Sequence, residues 1–471
     1  MANENRKQPS SSDILDDARI TALVEKTSAP TDSELGAILK KAAEKKGLSL
    51  EDAAKLLAIT SASQREKLFA AAKKVKQDIY GKRLVLFAPL YASSFCVNDC
   101  SYCGFRCSNK ITERKKLTMD EVSEQARILE EMGHKRLLLE FGEDEKTNPI
   151  DYVIDVINAI YKTKTNGGKG EIRRVNVNIA ATTTENYKKL KAAGIGTYQL
   201  FQETYHKPTY AKLHCGPKAD YERQITAHNR AFAAGIDDLG IGVLFGLYDY
   251  RFEALALLSH AQYMDKTLGV GPHTISVPRF CPAPGVEFTL PYRVADEDFL
   301  KLIAILRLSV PYTGMIISTR ETPEIRKKAF EIGISQASAA SETAPGGYSR
   351  EKKSAPLLQF KTNDHRSVEE IVQSICEQGY LTSFCTACYR SKRTGERFMK
   401  LAKSGEIHNL CNPNAILTFK EYLLDYAGEN TKKLGERTIK RMKRVITDAS
   451  VRSELEKRLL RLESGERDLY F

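Results

Sequence analysis

The chain has 471 residues, with 72 Lys and Arg against 60 Asp and Glu, a formal charge of +12, and 42% hydrophobic residues. That is an ordinary globular composition, which excludes disordered and fibrous classes. No run approaches the roughly 18 apolar residues of a membrane span, and Met1–Ser12 lacks the apolar stretch of a signal peptide, so a cytoplasmic protein is expected. The positive charge is spread along the chain, which argues against a nucleic-acid partner. Its main local cluster, Lys432 to Arg444, reads as a solvated helix face or as a dock for an acidic protein.

Residues 1–80 carry helical patterns over Asp32–Glu44, Leu50–Leu57 and Ser63–Gln77, with Ser49 and Thr60 as expected caps. From Leu84 onward, short leucine-rich or β-branched runs recur: Leu84–Leu90, Arg136–Phe141, Arg174–Ile179, Thr197–Phe201, Asp238–Leu244, His273–Val277, Gly314–Ser318 and Ile332–Ala337. Longer apolar-periodic stretches separate them, at Met119–Met132, Pro149–Tyr161, Glu185–Ala193, Tyr221–Ala234, Arg251–Gly269, Asp296–Val310 and Glu324–Phe330. The alternation predicts βα units and a parallel sheet, and eight such units over about 255 residues fit a closed (β/α)8 TIM barrel. A doubly wound open sheet is the alternative. Thr343–Ser354, with Pro345, Gly346 and Gly347, reads as a linker. The expected domains are an N-terminal helical segment at 1–80, the barrel at 81–345, and a mainly helical C-terminal domain at 346–471. Helices in the last are expected over Ser367–Gln378, Gly395–Leu401 and Thr431–Arg461.

Ten cysteines fall into two ligand-like clusters with others apart, which in a reducing compartment points to metal or redox chemistry rather than disulfides. Directly after the first strand, Cys96, Cys100 and Cys103 are spaced x3 and x2 on a loop where Asn98, Asp99 and Gly104 favour turns. Three thiolates suit an Fe-S cluster or zinc, and a cluster with only three of its irons held by Cys leaves the fourth open to a substrate. With Cys107 the loop would instead form a closed site of four thiolates. The C-terminal end of a barrel strand is where barrel enzymes place their chemistry. This pattern, with the aromatic Tyr102 before its last cysteine, resembles the radical SAM (S-adenosylmethionine) superfamily. The resemblance implies a 4Fe-4S cluster on Cys96, Cys100 and Cys103, whose open iron chelates SAM for cleavage to a 5′-deoxyadenosyl radical. It places Tyr102 in the cofactor-binding loop and leaves Cys107 a free thiol.

Phe141-Gly142-Glu143 looks like that family's Gly-Gly-Glu motif with Phe141 replacing the first Gly, so Gly142 and Glu143 are expected at the SAM amino group. A helix cap is the plainer reading of such an acid. Glu203, with Arg223 on the following helix, resembles the charged pair that positions SAM, against a surface-charge reading of Arg223. The stretch from Tyr198 through Leu213-His214-Cys215-Gly216-Pro217-Lys218 to Asp237 is similar to the tyrosine lyase branch, as are Ser276-Val277-Pro278-Arg279 and Ile317-Ser318-Thr319-Arg320-Glu321. A free amino acid needs a buried cation for its carboxylate, and a guanidinium supplies two parallel hydrogen bonds. Arg279 and Arg320 are the candidates, and which of them meets tyrosine and which SAM the sequence leaves open; Ser318 is expected beside the substrate and Ser276 beside the cofactor.

Cys385, Cys388 and Cys411 form C-x2-C-x22-C, again three thiolates, for which His408 would complete a zinc site. Appended to a radical SAM tyrosine lyase, this motif resembles the branch that serves FeFe-hydrogenase maturation. The resemblance implies an auxiliary 4Fe-4S cluster, with His273 either structural or the ligand of an extra dangling iron. It implies cleavage of the Cα–Cβ bond of L-tyrosine to p-cresol and dehydroglycine, then conversion of dehydroglycine to CO and cyanide on iron. Free cysteine as a carrier ligand, a low-potential electron donor, and another maturase or the apo-hydrogenase as recipient complete the expected partners. Two other readings stand. A thiazole-pathway tyrosine lyase would stop at dehydroglycine, and a non-catalytic Fe-S scaffold or electron carrier would not need Glu143, Glu203, Arg279 and Arg320. Cys215, Cys281 and Cys376 read as core thiols.

Overall fold

A computed structural model describes residues 9–111, 113–349, 357–404 and 406–471, with His408 described by its backbone alone. Eight strands follow one another around a barrel: β1 (Arg83–Ser93), β2 (Arg136–Phe141), β3 (Arg174–Asn178), β4 (Tyr198–Glu203), β5 (Leu239–Val243), β6 (Thr274–Ser276), β7 (Gly314–Ile317) and β8 (Gln336–Ser338). All neighbours pair in parallel, and Val85–Phe87 of β1 meets Gln336–Ser338 of β8, which closes the barrel and removes the open-sheet alternative. Every residue of β1 is buried, as a strand covered on both faces requires. The last strand starts later than the periodicity suggests, because Ile332 ends the helix Pro323–Ile332 and Gly333 breaks it. The helical pattern Tyr221–Ala234 divides into Tyr221–Ile225 and Ala227–Ala233.

The N-terminal helices pack on the outside of the barrel, where Lys301 donates to the Ile59 carbonyl (3.0 Å) and Ser259 to that of Ile14 (3.0 Å). Ser49 caps as expected, through the Asp52 amide, whereas the next helix, Ala62–Tyr80, is capped by Ser61 rather than Thr60.

A ninth strand, β9 (Leu381–Ser383), pairs in parallel with Arg83–Val85 at the start of β1, below the stretch Ala88–Ser93 that pairs with β2. The C-terminal region is thereby hung on the N-terminal mouth of the barrel. Its docking is sealed by the buried Arg173–Glu421 ion pair (2.5 Å) and by Tyr426, whose hydroxyl accepts from the buried Lys135 (2.7 Å). Its long helix His408–Asp425 was not anticipated from sequence, since Pro413 sits inside it. The expected helix Thr431–Arg461 is two, Glu429–Lys443 and Ala449–Glu463, the second capped by Asp448. On the first of these, Lys433, Arg437, Lys440 and Arg441 are exposed, as is Arg444 at its C-cap. The expected linker is packed over residues 343–349, where Tyr348 donates to the Pro89 carbonyl (2.7 Å); the rest of it, 350–354, lies outside the described residues. Among the described residues no helix is long and apolar enough to cross a membrane.

Candidate functional site

Cys96, Cys100 and Cys103 border one cavity of about 190 Å³ at the C-terminal mouth of the barrel. Their loop is pinned by backbone bonds from Asp99 to Cys215 (3.1 Å), Ser101 to Leu213 (3.0 Å) and Gly104 to Gln359 (3.0 Å), and by a two-pronged Arg106–Asp99 pair (2.7 and 2.9 Å). Burial pushes all three thiols up, Cys103 to about 11. Cys107 does not border the cavity; its amide donates to the Asn98 carbonyl (2.9 Å). Tyr102 lies in the wall with its hydroxyl 2.8 Å from His214 Nε2. Gly142 comes so close to the loop that a Cβ there would lie 2.3 Å from the Phe95 oxygen and 3.0 Å from Cys96 Cβ. Three thiols on one wall beside bare backbone form a donor set that fits a cluster with one open iron.

The expected pairing of Glu203 with Arg223 does not form. Glu203 meets Lys218 Nζ (2.8 Å), while Arg223 meets Glu143 Oε1 (2.7 Å) and Asn98 Nδ2 donates to Glu143 Oε2 (2.6 Å). The reason is local: β4 carries a register shift between Phe201 and Glu203, and Glu203 adopts φ +67°, the left-handed region. Behind this bulge the buried Glu253 accepts from the Tyr205 amide (2.8 Å) and from the Thr204 hydroxyl. Burial raises the Glu253 carboxyl to about 7. Burial opposes the Lys218 charge most strongly, but Glu203 together with Cys100 and Tyr210 outweighs it and holds the ammonium well above its ordinary range.

The two arginines separate cleanly. Arg279 does not line the cavity; its guanidinium is engaged by Glu321 (Nε to Oε1, 3.0 Å), Asp296 (2.8 Å) and the Val294 carbonyl (3.0 Å), over the ring of Phe299. Arg320 does line it, stacked 3.2 Å from the Phe360 ring centre, and has no carboxylate partner among the described residues. Ser276 and Ser318 share the wall. Three cavity groups were not singled out from sequence. Lys218 stood unassigned in a quoted motif. Phe360 comes from beyond the barrel. Glu140 follows Leu138 at the period-2 spacing that turns a side chain inward, and burial raises it to about 8.

The second cysteine set occupies the opposite mouth. Arg136 donates to the Cys385 carbonyl (2.8 Å), and Tyr389, one residue past Cys388, bonds Thr197 (3.0 Å) beneath the Arg174 guanidinium (3.9 Å). Cys388 and Cys411 share a hydrogen bond that lowers the Cys411 thiol to about 6, helped against burial by Arg83, Arg393 and Arg136, and raises that of Cys388. His273 lies at this mouth, its ring 4.1 Å from Phe398 and 6.2 Å from Tyr389, with Nδ1 3.6 Å from Asp238. The side chain of His408 lies outside the described residues.

Residues 90–258 match the family model of the radical SAM superfamily, and residues 276–381 that of the biotin and thiamin synthesis associated domain. The 2-iminoacetate synthase of Salmonella typhimurium is 32% identical over 338 residues, covering 70% of this chain and 85% of that protein. A crystal structure of HydG, a maturase of the FeFe-hydrogenase, superposes with a TM-score of 0.94 at 55% identity, over 98% of this chain and 100% of that one. The HydG maturase of Carboxydothermus hydrogenoformans superposes at 0.84 with 40% identity, over 96% and 100%. Because these likenesses take in the cysteine-bearing barrel and nearly all of the chain outside it, the chain belongs to the radical SAM enzymes, in the family of the HydG maturases.

Proposed function

We propose that this chain cleaves the Cα–Cβ bond of L-tyrosine to p-cresol and dehydroglycine, and converts dehydroglycine to CO and cyanide on iron for the FeFe-hydrogenase active site. One observation carries the reading: a single barrel holds a three-cysteine set at each mouth, and the first set shares its cavity with Arg320, a guanidinium without a carboxylate partner among the described residues. Cys96, Cys100 and Cys103 would hold the 4Fe-4S cluster, with Gly142, Glu143, Glu203, Arg223 and Ser276 around SAM. Cluster and SAM together supply a carbon radical by reductive cleavage.

The rest is done by the chain. Arg320, helped by Ser318, receives the tyrosine carboxylate as a fork. Arg279 holds Glu321 and the loop that carries Arg320 rather than meeting substrate. The apolar walls, with Phe87, Phe201 and Phe360, keep water from a reactive centre. At the other mouth Cys385, Cys388 and Cys411 would hold the auxiliary cluster, beside the positive charges of Arg83, Arg136 and Arg393. His273 would hold an extra iron, with free cysteine as the carrier ligand. An electron donor and a receiving maturase or apo-hydrogenase complete the partners.

The thiazole-pathway lyase, which would stop at dehydroglycine, is the second reading. The HydG structures account for 96–98% of this chain, against 70% for the 2-iminoacetate synthase, which favours the first. An anaerobic assay of the iron-reconstituted protein with SAM, reductant and L-tyrosine decides: p-cresol, CO and cyanide support the proposal, p-cresol alone supports the second reading, and no p-cresol refutes both.

A further inference from the structure

Cys388 sits in the four-residue helix Ala387–Arg390, and Cys411 in the first turn of His408–Asp425. A helix that short does not hold itself in water, so its position is set by what it touches. The segment Arg467–Phe471 touches both pieces and the barrel base. Asp468 pairs with Arg390, two residues past Cys388, and its Oδ1 lies 3.0 Å from Arg173 Nε. Its amide donates to Glu421 (3.0 Å), in the helix that carries Cys411. Arg390 also lies over the Tyr470 ring (4.3 Å). The Phe471 amide donates to Asn414 Oδ1 (2.7 Å), three residues past Cys411, and Arg393, five past Cys388, donates to the Phe471 carbonyl (2.7 Å). Arg467 pairs with Asp425 (2.5 Å) at the far end of that helix. The chain turns back at Asp468, whose φ of +63° lies in the left-handed region, a conformation kept only where surrounding contacts dictate it.

We propose that Arg467–Phe471 is a strap that positions Cys388 against Cys411, so that Asp468 and Tyr470 are positioning residues for the auxiliary site. The proposal rests on the reading that Cys385, Cys388 and Cys411 hold a cluster. Arg173 and Glu421 are 3% exposed each, and buried charges keep their geometry only while every partner is present. Without Asp468 the Cys388 turn loses the tie that runs from Arg390 to Glu421 of the Cys411 helix and to Arg173, and keeps the Tyr389–Thr197 bond and the contacts through Phe471, while the Cys96 loop at the other mouth is untouched.

Asp468→Ala and Tyr470→Ala, made in the full chain and reconstituted with iron and sulfide, test this by iron content and by the electron paramagnetic resonance of the reduced protein. Wild type should hold about eight irons and the variants about four, with the first cluster's signal intact and the second lost. The p-cresol rate should stay within about twofold of wild type while CO and cyanide fall at least about tenfold. Asp448→Ala removes a helix cap in the same domain and controls for general loosening; it should keep both signals. Variants that retain both clusters, or an Asp448→Ala that loses the second one equally, would overturn the strap. A wild type with only about four irons would instead overturn the reading beneath it. Should Asp468→Ala not fold, Tyr470→Ala, which removes only the ring beneath Arg390, decides by the same readouts.

Discussion

Gly142→Ala places a methyl group where the cysteine loop leaves no room. An ideal Cβ lies 2.3 Å from the Phe95 oxygen, 2.8 Å from its carbon and 3.0 Å from Cys96 Cβ, against the 3.4 Å at which ordinary contact begins. About 1 Å must therefore be found by moving backbone. Neither wall yields freely. The Gly142 amide donates to Ser93 (2.9 Å), Asn148 Nδ2 bridges the Gly142 (3.1 Å) and Phe95 (3.2 Å) carbonyls, and the Val97 amide donates to that of Glu143 (2.7 Å). Overpacking of this kind costs about 1–3 kcal/mol, which lowers the melting temperature by a few degrees without unfolding the chain. The displacement falls on Cys96 and on the backbone expected at the SAM amino group, where an error of about 1 Å costs on the order of 100-fold in rate. The variant should fold, bind SAM weakly and form p-cresol about 100 times more slowly. Isothermal titration with SAM, iron content and the p-cresol rate, measured beside a thermal melt, check this. A Gly142→Ala protein with wild-type SAM affinity and a p-cresol rate within about twofold would show that the approach of β2 to the cysteine loop is not what sets the site.

Arg320→Lys replaces a fork with a point charge and should raise the tyrosine KM about 10- to 100-fold while leaving SAM affinity unchanged; a parallel loss of both would mean that Arg320 serves the cofactor. Arg279→Lys should lower thermal stability without a selective rise in the tyrosine KM, and a selective rise would restore it as a substrate ligand. Cys388→Ser with Cys411→Ser should spare p-cresol and abolish CO and cyanide; in a folded variant that keeps its first cluster, loss of p-cresol as well would break the division between the two mouths. Burial raises Glu253 from 4.5 to about 7, so across that window the folded chain holds a proton that the unfolded chain has released, and stability falls as pH rises. On the order of 3 kcal/mol is at stake, and Glu253→Gln, which keeps an acceptor for the Tyr205 amide, should flatten the loss between about pH 5 and pH 8 in urea unfolding. Parallel pH slopes for wild type and variant would refute the assignment.

The barrel was legible because each strand is a short apolar run and each helix a longer periodic one, patterns set by burial on one or both faces. What the pattern hid was set by single residues. Pro413 disguised the helix that carries Cys411, since a proline ordinarily ends a helix. The break between Lys443 and Ala449 was hidden because Arg444-Val445-Ile446-Thr447-Asp448 holds neither Gly nor Pro to mark it. β9 was too short to read, although three residues are enough when β1 offers an open edge below β2. At the site, the three-cysteine sets were visible as spacing, whereas the ion pairs were not, because spacing says nothing about which carboxylate a cation will reach. The bulge after Phe201 turned Glu203 to Lys218 and left Arg223 for Glu143.

The two arginines show why that limit matters for function. Arg279 and Arg320 each follow a barrel strand by three residues, in motifs of similar look, and charge alone would let either receive a carboxylate. Glu321 and Asp296 engage the first; the second lies against the face of Phe360, which orients a guanidinium without neutralising it. A substrate carboxylate that displaced Glu321 from Arg279 would leave a second, nearly buried carboxylate unpaired, and that cost cancels the gain. At Arg320 no carboxylate among the described residues has to be displaced. The preference for Arg320 therefore follows from which carboxylates each arginine meets, and Glu321→Gln offers a check independent of either arginine. With Asp296 the one carboxylate left on Arg279, a second carboxylate site should appear there, seen as weaker discrimination between L-tyrosine and its amide in competition assays. Unchanged discrimination in a folded Glu321→Gln protein would mean that Arg279 is held from the substrate by position and not by its partner.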